Sequence, residues 1–246
     1  FNKEIGIRTR TNWLGMPVDL DLAIFQLDRE DHIQASGGQY STDPNNDSQY
    51  ANIGDIRNRG LELSAFSDTG GTWSWDLAYT YLDTEYTEYD EFYLQTAAVR
   101  GGCLSPDATL VSSGWSGTCY EVFDNAGNEI PRVPKHHLNA LLRYRPDAHW
   151  TISGEMDVTS SHYADEINRV EIGGRTIYNL LVNYDRQIGT QDWSFFARVD
   201  NLFDHYYYNS ARGSKDQNED GVYDGEDISI TVNEGRTFTA GLQVTF

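Results

Sequence analysis

Twelve residues late in the chain have the donor set of a cation site. Asp216-Gln217-Asn218-Glu219-Asp220-Gly221-Val222-Tyr223-Asp224-Gly225-Glu226-Asp227 reads D-x-N-x-D-G-x-x-D-x-x-D. Asp216, Asn218, Asp220, Asp224 and Asp227 put side-chain oxygens at positions 1, 3, 5, 9 and 12, and the Val222 carbonyl falls at position 7. Gly221 allows the sharp turn, and the run has the ligand spacing of an EF-hand-type calcium loop. Asp227 stands where such loops usually carry Glu, so it reaches less far. No flanking helices are expected, because Tyr206–Ser210 and Ile228–Thr231 read as strand ends. The plainer alternative is a solvated acidic loop, since residues 209–235 carry seven acids against two bases.

Cys103 and Cys119 are the only cysteines and stand 16 apart in Gly- and Ser-rich surroundings. In an oxidising compartment a disulfide is expected. Closing such a loop is worth about 3 kcal/mol. A soft-metal site is the sharper alternative, although no Met or His lies close by in sequence. The six histidines are scattered. His136, His137, His162 and His205 fall near strand ends, which suits rim positions or a metal-capture cluster. Tyr206, Tyr207 and Tyr208 with Arg212, and Tyr163 with Arg169, combine rings with guanidinium groups. Such sets suit an anionic, partly aromatic ligand, and aromatic rim packing is the competing reading. No nucleophile elbow, phosphate-binding glycine loop or paired catalytic carboxylates stand out.

The elements that position these residues are strands. Apolar and polar residues alternate with period two in run after run. Trp73, Trp75, Leu77, Tyr79 and Tyr81 alternate with Ser74, Asp76, Ala78 and Thr80; Phe238, Ala240, Leu242, Val244 and Phe246 alternate with Thr237, Thr239, Gly241, Gln243 and Thr245. Nine strands are expected over 3–13, 18–34, 50–67, 73–90, 132–146, 149–161, 174–186, 192–207 and 230–246, with almost no helix. The connections alternate strictly. Those at 14–17, 68–72, 147–148 and 187–191 are short; those at 35–49, 91–131, 162–173 and 208–229 are long. Antiparallel neighbours send successive connections to opposite ends, so one end has tight turns and the other long loops. Outer-membrane barrels have this asymmetry, with short periplasmic turns and long extracellular loops.

Composition agrees. Thirty-eight acids against 18 bases give a net charge of −20, which argues against a nucleic-acid partner, because phosphate binding needs clustered Lys and Arg. No apolar run is long enough for a membrane helix. Aromatics reach 13% although mean hydropathy is −0.59, which fits lipid-facing rings averaged with a polar lumen face and long polar loops. The expected fold is therefore an all-β transmembrane antiparallel barrel. A large soluble β-sandwich with aromatic cross-strand pairs is the alternative. An odd strand count does not close a bacterial single-chain barrel, so residues 1–246 are expected to be a portion of a larger one.

Val199-Asp200-Asn201-Leu202-Phe203-Asp204-His205-Tyr206-Tyr207, then Gly235-Arg236-Thr237-Phe238 and a terminal Phe246, resemble the C-terminal region of TonB-dependent outer-membrane receptors. Asn58-Arg59-Gly60-Leu61-Glu62-Leu63 and Ile130-Pro131-Arg132-Val133-Pro134-Lys135-His136 are similar to segments on earlier strands of that family. The resemblance implies the last nine strands of a 22-stranded barrel filled by an N-terminal plug. It further implies energised import of a scarce nutrient, most often a ferric siderophore; relatives take cobalamin, haem, other metal complexes or saccharides. The implied partners are a TonB-type energy-coupling protein, the ligand, outer-membrane lipid and lipopolysaccharide, and the barrel-assembly machinery, for which Phe246 is the signal. The implied location is the bacterial outer membrane. An outer-membrane hydrolase is the enzymatic alternative, and it lacks a recognisable catalytic set.

Overall fold

The computed structural model describes residues 1–13, 15–35, 50–52, 54–68, 70–89, 92–100, 102–113, 116–213 and 215–246. Most of the expected 35–49 loop lies outside the described residues. In chain order the strands are β1 (Asn2–Trp13), β2 (Met16–Arg29), β3 (Ile33–Ala35), β4 (Tyr50–Asn52), β5 (Gly54–Ser67), β6 (Trp73–Tyr89), β7 (Phe92–Ala97), β8 (Thr109–Ser113) and β9 (Ser116–Phe123). They continue with β10 (His136–Tyr144), β11 (Trp150–Thr159), β12 (His162–Tyr163), β13 (Glu171–Ile172), β14 (Arg175–Ile188), β15 (Gln191–Asp200), β16 (Tyr208–Arg212), β17 (Ser229–Val232) and β18 (Thr237–Thr245).

Nine of these form one antiparallel sheet in the order β1-β2-β5-β6-β10-β11-β14-β15-β18. Register carries the alternation across it. Leu77 pairs with Ala140, Ala140 with Met156, Met156 with Tyr178, and Val199 with Phe238, so apolar rows run from strand to strand on one face. That face is open: Phe238 is 73% exposed, Ile5 75% and Leu142 50%. The other face is polar and closed by ion pairs. Arg143 reaches Asp76 at 2.5 Å, Arg198 reaches Glu155 and Asp200 at 2.7 Å each, Arg10 reaches Asp19 at 2.6 Å, and Arg8 pairs with Asp21. A soluble sheet hides its apolar face and wets its polar one. An uncovered apolar face backed by a charged wall is the arrangement of a barrel with lipid outside and a polar lumen inside.

Rings bracket the apolar band. At the tight-turn end Trp73 packs on Tyr144 (4.5 Å between centroids), and Trp150 on Tyr184 (4.7 Å). At the other end the Tyr79 hydroxyl meets His136 Nδ1 at 2.8 Å, and Tyr178 makes an edge contact with Phe203 at 5.3 Å. These are the interfacial positions that amphipathic rings favour. The two-residue turn Gly189-Thr190 joins β14 to β15 with Gly189 at φ 65°, a conformation available at little cost to glycine.

Four expected strands are shortened or divided, each for a local reason. The 18–34 run stops at Arg29 because Asp31 turns left-handed (φ 53°) before the β3–β4 hairpin. The 132–146 run begins only at His136, since Arg132 has φ 65° and its amide donates to Tyr163 O. The 192–207 run ends at Asp200. Asn201 (φ 50°) accepts from the His205 amide and donates to the His205 carbonyl, each at 2.8 Å, closing a turn over 201–205. The 230–246 run divides into β17 and β18 at Gly235 (φ 77°), where the Arg236 amide donates to Asp204 Oδ1. The expected 91–131 connection also holds a three-stranded sheet, β7-β9-β8.

On the lumen face two rings lie over glycines directly opposite. Phe25 faces Gly60 and Phe196 faces Gly241, an aromatic covering of a bare strand position. A Cβ at Gly60 would meet the Phe25 ring and lie 2.7 Å from Tyr81 O, whereas one at Gly154 would meet nothing within 4 Å. Gly60→Ala is therefore expected to cost about 1–3 kcal/mol and to lower the thermal unfolding midpoint of the detergent-solubilised protein. Gly154→Ala should leave that midpoint in place; equal midpoints for the two variants would contradict the packing argument.

Candidate functional site

The buried apolar centre lies above the sheet, where the long connections meet. Ile56, Tyr86, Tyr89, Phe92, Leu94 and Tyr223 form one cluster, and Phe123, Ile130, Ile167, Val170 and Ile228 pack against it. These residues come from the tops of β5 and β6 and from three separate connections, so no loop is packed by itself. Polar cross-ties follow the same pattern. Glu129 N donates to Asn168 Oδ1 (2.7 Å), and Asn168 Nδ2 returns to Glu129 O (2.9 Å). Asn128 Nδ2 donates to Glu166 O at 3.1 Å. Cys103 and Cys119 form a disulfide with Cα atoms 5.7 Å apart, and Cys119 is fully buried. Both sulfurs are thereby occupied, so the soft-metal reading of this pair is not what the structure shows.

The 216–227 run is tied into this cap at Asp216 and closed on itself at Asp227. Asp216 is 7% exposed, and its Oδ2 accepts from Ala97 N on β7 (2.9 Å) and from Gly221 N (2.8 Å). Its amide in turn donates to Gln95 O. Asp216 Oδ1 is buried without a hydrogen-bond partner. Asp227 is 0% exposed; Oδ1 accepts from the amides of Gln217 (2.7 Å) and Asn218 (3.3 Å), and Oδ2 from Asp224 (2.9 Å). Asn218, Asp220 and Asp224 lie at the surface and accept from amides two residues on. Among the described residues no three His, Cys, Asp or Glu side chains are already gathered as a metal site. Tyr223, inside the same run, drives its ring into the cluster while its hydroxyl has no hydrogen-bond partner. Burial, then the charges of Asp165, Glu166 and Asp227, push that phenol well above its ordinary range.

The remaining ring and guanidinium candidates separate into distinct contacts. Arg169 stacks on Phe123 (5.3 Å), inside the cap. Tyr206 and Tyr208 make an edge contact at 5.7 Å, with Tyr206 64% exposed. Tyr163 sits in β12 and Arg212 ends β16 at the surface. Tyr207 instead covers the guanidinium of Arg175, 4.8 Å away. Arg175 lies 3.6 Å from Asp157, which also holds His137 Nε2 at 2.8 Å. This group sits at the lumen-side tops of β10, β11 and β14, below the cap, and could hold a polar anionic ligand. His162, half-buried nearby in sequence, has its imidazole pushed down by burial, and its Nδ1 lacks a partner. Sequence reading did not join His137, Asp157 and Arg175. The signal was there as parity, since all three fall on polar positions of their strands, but only register makes them neighbours.

The family model for the TonB dependent receptor-like β-barrel matches residues 1–202. Among curated proteins the chain is 24% identical over 213 residues to the probable TonB-dependent siderophore receptor PiuA of Acinetobacter baumannii, covering 86% of this chain and 24% of that protein. It is 25% identical over 200 residues to the ferrichrome outer membrane transporter/phage receptor of Escherichia coli K12, covering 79% of this chain and 21% of that protein. The crystal structure of PiuA from A. baumannii superposes with a TM-score of 0.64 at 21% identity, over 99% of this chain and 28% of that one. The chain thus spans about a quarter of the length of these relatives.

Tyr223 offers a clean test of the cap. Tyr223→Phe removes a hydroxyl that is buried and unpaired, so it should be neutral or stabilising. Tyr223→Ala should cost about 3–5 kcal/mol locally. Hydrogen exchange of 92–98, 119–130 and 161–172 reads both: protection kept in the first and lost together in all three segments in the second.

Proposed function

The chain belongs to the TonB-dependent receptor-like β-barrel family, and on that footing we propose that it forms part of the wall of a receptor that imports a ferric siderophore across the bacterial outer membrane. The observation that carries this reading is the two-faced sheet: apolar and open outside, ion-paired inside, with a cross-tied cap above. A cargo too large for a simple pore needs a wide lumen and a structured mouth, and this wall supplies one side of both. Names borne by relatives, a siderophore receptor and a ferrichrome transporter, favour iron over cobalamin, haem, another metal complex or a saccharide. Residues 1–202 cover the matched barrel region, and the chain is read as the C-terminal portion of that domain.

In this reading energy reaches the barrel from a TonB-type protein acting through a plug contributed by other parts of the full receptor. Phe246, on the lipid-facing parity of β18 and 92% exposed, serves as the signal to the barrel-assembly machinery. The Arg175–Tyr207–His137 group is the part of this chain offered to the ligand; a guanidinium backed by a ring suits an anionic, partly aromatic chelate. Tyr163, Arg169, Tyr206, Tyr208 and Arg212 stand further out, as approach contacts in the cap. Deleting the gene should abolish uptake of at least one radiolabelled ferric siderophore under iron starvation, and restoring it should return uptake. Unchanged uptake across a broad siderophore panel would refute the iron assignment.

Calcium in the 216–227 loop belongs to the same proposal, as an ordering ion without a part in transport chemistry. Ligand spacing supports it, and so does the buried, unpartnered Oδ1 of Asp216. The exposed side chains of Asn218, Asp220 and Asp224, with the Val222 carbonyl, would complete the shell by turning inward, while Asp227 closes the loop. Calcium should slow proteolysis between residues 209 and 234, and EDTA should restore it. Identical cleavage rates with and without calcium would end this part of the reading.

A further inference from the structure

The 216–227 loop leans on a different connection. Its start lies along the edge of β7: Lys215 bridges Gln95 in parallel, Asp216 N donates to Gln95 O at 3.1 Å, and Ala97 N donates to Asp216 Oδ2 at 2.9 Å. Its sharp turn then rests on the residues that follow β7. Gly221 has φ 90°, and a Cβ there would stand 3.1 Å from Val99 Cγ1, 3.1 Å from Leu104 Cδ1 and 3.2 Å from Ala97 O. Asp220 and Val222 flank this glycine, and its amide donates to Asp216 Oδ2. The shape of residues 97–104 therefore sets where half of the expected donor set stands.

That segment is a tight reversal. Val99 N donates to Gly102 O at 3.0 Å, Gly102 N returns to Val99 O at 3.1 Å, and Arg100 is left-handed at φ 52°. At its start, Ala98 N donates to Gly117 O at 2.8 Å. At its end stands the disulfide. Cys103 joins Cys119, which is fully buried in β9 between Thr96 of β7 and Leu110 of β8. Leu104 follows Cys103 directly and is 55% exposed, so its own burial does little to hold it against Gly221. The cross-link does that instead, by removing most of the arrangements open to a free reversal.

We propose that the Cys103–Cys119 disulfide is a positioning element of the cation loop. It fixes Val99 and Leu104 against Gly221 and so pre-organises Asp216, Asp220 and the Val222 carbonyl for calcium. Calcium affinity then depends on the redox state of a bond in another connection. The inference rests on the calcium site proposed above. Donors that must first be ordered bind more weakly than donors already in place. Opening the bond is a two-electron exchange with a dithiol. One thiolate of the reductant attacks the partly exposed Cys103 sulfur, and Cys119 leaves as a thiolate that takes a proton. The second thiol then resolves the mixed disulfide, freeing Cys103 as a thiol and the reductant as its own disulfide. Linkage makes the coupling reciprocal: whatever factor the disulfide gives to calcium binding, calcium gives to the disulfide's resistance to reduction.

The test titrates calcium into the full-length receptor in detergent and follows binding by calorimetry, with Asp216→Asn identifying the loop's share of the signal. Dithiothreitol-reduced protein and C103A/C119A should each bind calcium at this site about tenfold more weakly than the oxidised protein, a coupling of ordinary size. Leu104→Ala keeps the disulfide and should weaken binding in the same direction, whereas Leu104→Met should keep the native affinity. In the reverse experiment, saturating calcium should shift the dithiothreitol reduction equilibrium of the native protein about tenfold toward the disulfide. The same calcium should leave the reduction of the Asp216→Asn protein unchanged. Equal calcium affinity before and after reduction, with both thiols titrated as free, overturns this inference and leaves the calcium site standing. A calcium-independent reduction equilibrium in the native protein overturns it as well. Oxidised native protein that binds no calcium at this loop defeats the site itself and the inference with it. Should C103A/C119A fail to assemble, reduction of the assembled native protein makes the same comparison and is judged by the same outcomes.

Discussion

Hydrocarbon offers no hydrogen-bond partner to a peptide group, so a chain crossing it by strands must pair each amide and carbonyl with a neighbour. That constraint organises the rest of this molecule. It makes the strands long, up to 17 residues in β6, and locks adjacent strands into a register broken only by a bulge at Asp55/Ile56, at the loop end of β5. Register then converts a two-residue alternation within each strand into continuous rows across nine of them. Lipid selects apolar side chains for one set of rows. Water and the lumen contents select polar ones for the other, where arginine and carboxylate pair at strand-to-strand distance. Neither face needs a buried core, which is why the sheet has so few fully buried apolar residues.

Above the membrane the constraint reverses. Water can satisfy stray backbone groups there, so structure needs another source of cohesion. The cap finds it in a small apolar cluster and in carboxylates turned inward. Asp165, Asp216 and Asp227 are almost wholly buried, and their hydrogen-bond donors are backbone amides: Arg169 and Val170, Ala97 and Gly221, and Gln217, Asn218 and Asp224. A carboxylate that collects two or three amides orders an irregular loop as a capping residue orders a helix end. Asp216 does this across two connections, since Ala97 belongs to β7.

This division explains what the sequence could and could not disclose. Alternation such as Trp73-Trp75-Leu77-Tyr79 is a one-dimensional pattern, so the nine long strands, their faces and the alternation of short and long connections were readable from it. Strand ends were not. They depend on single left-handed residues, Asp31, Arg132 and Asn201, whose sequence neighbours carry no warning. The β7-β9-β8 sheet escaped because its strands are short and its apolar residues follow no single long face: Phe92, Leu94 and Phe123 join the cluster, whereas Leu110 and Val122 stay exposed. His137, Asp157 and Arg175 escaped because contact across strands needs register. Asp227 drew notice as a cation ligand with a short side chain. The structure gives that shortness a second use, because the carboxylate reaches the loop's own amides.

Charge is divided by the same logic. Arg8, Arg10, Arg57, Arg143, Arg145, Arg175, Arg198 and Lys135 each face a carboxylate along the wall or its rim. The wall is thus locally compensated, and much of the −20 surplus falls to the connections, as in residues 209–235 with seven acids and two bases. An acidic mouth concentrates cations and repels free polyanions. The anionic ferric chelate proposed as cargo would need part of that charge offset before it reached Arg175. Calcium in the 216–227 loop would supply the offset where the acids are densest. On this argument the proposed ion and the proposed cargo depend on one electrostatic condition at the mouth, and the ring-covered guanidinium below takes over once the cap is passed.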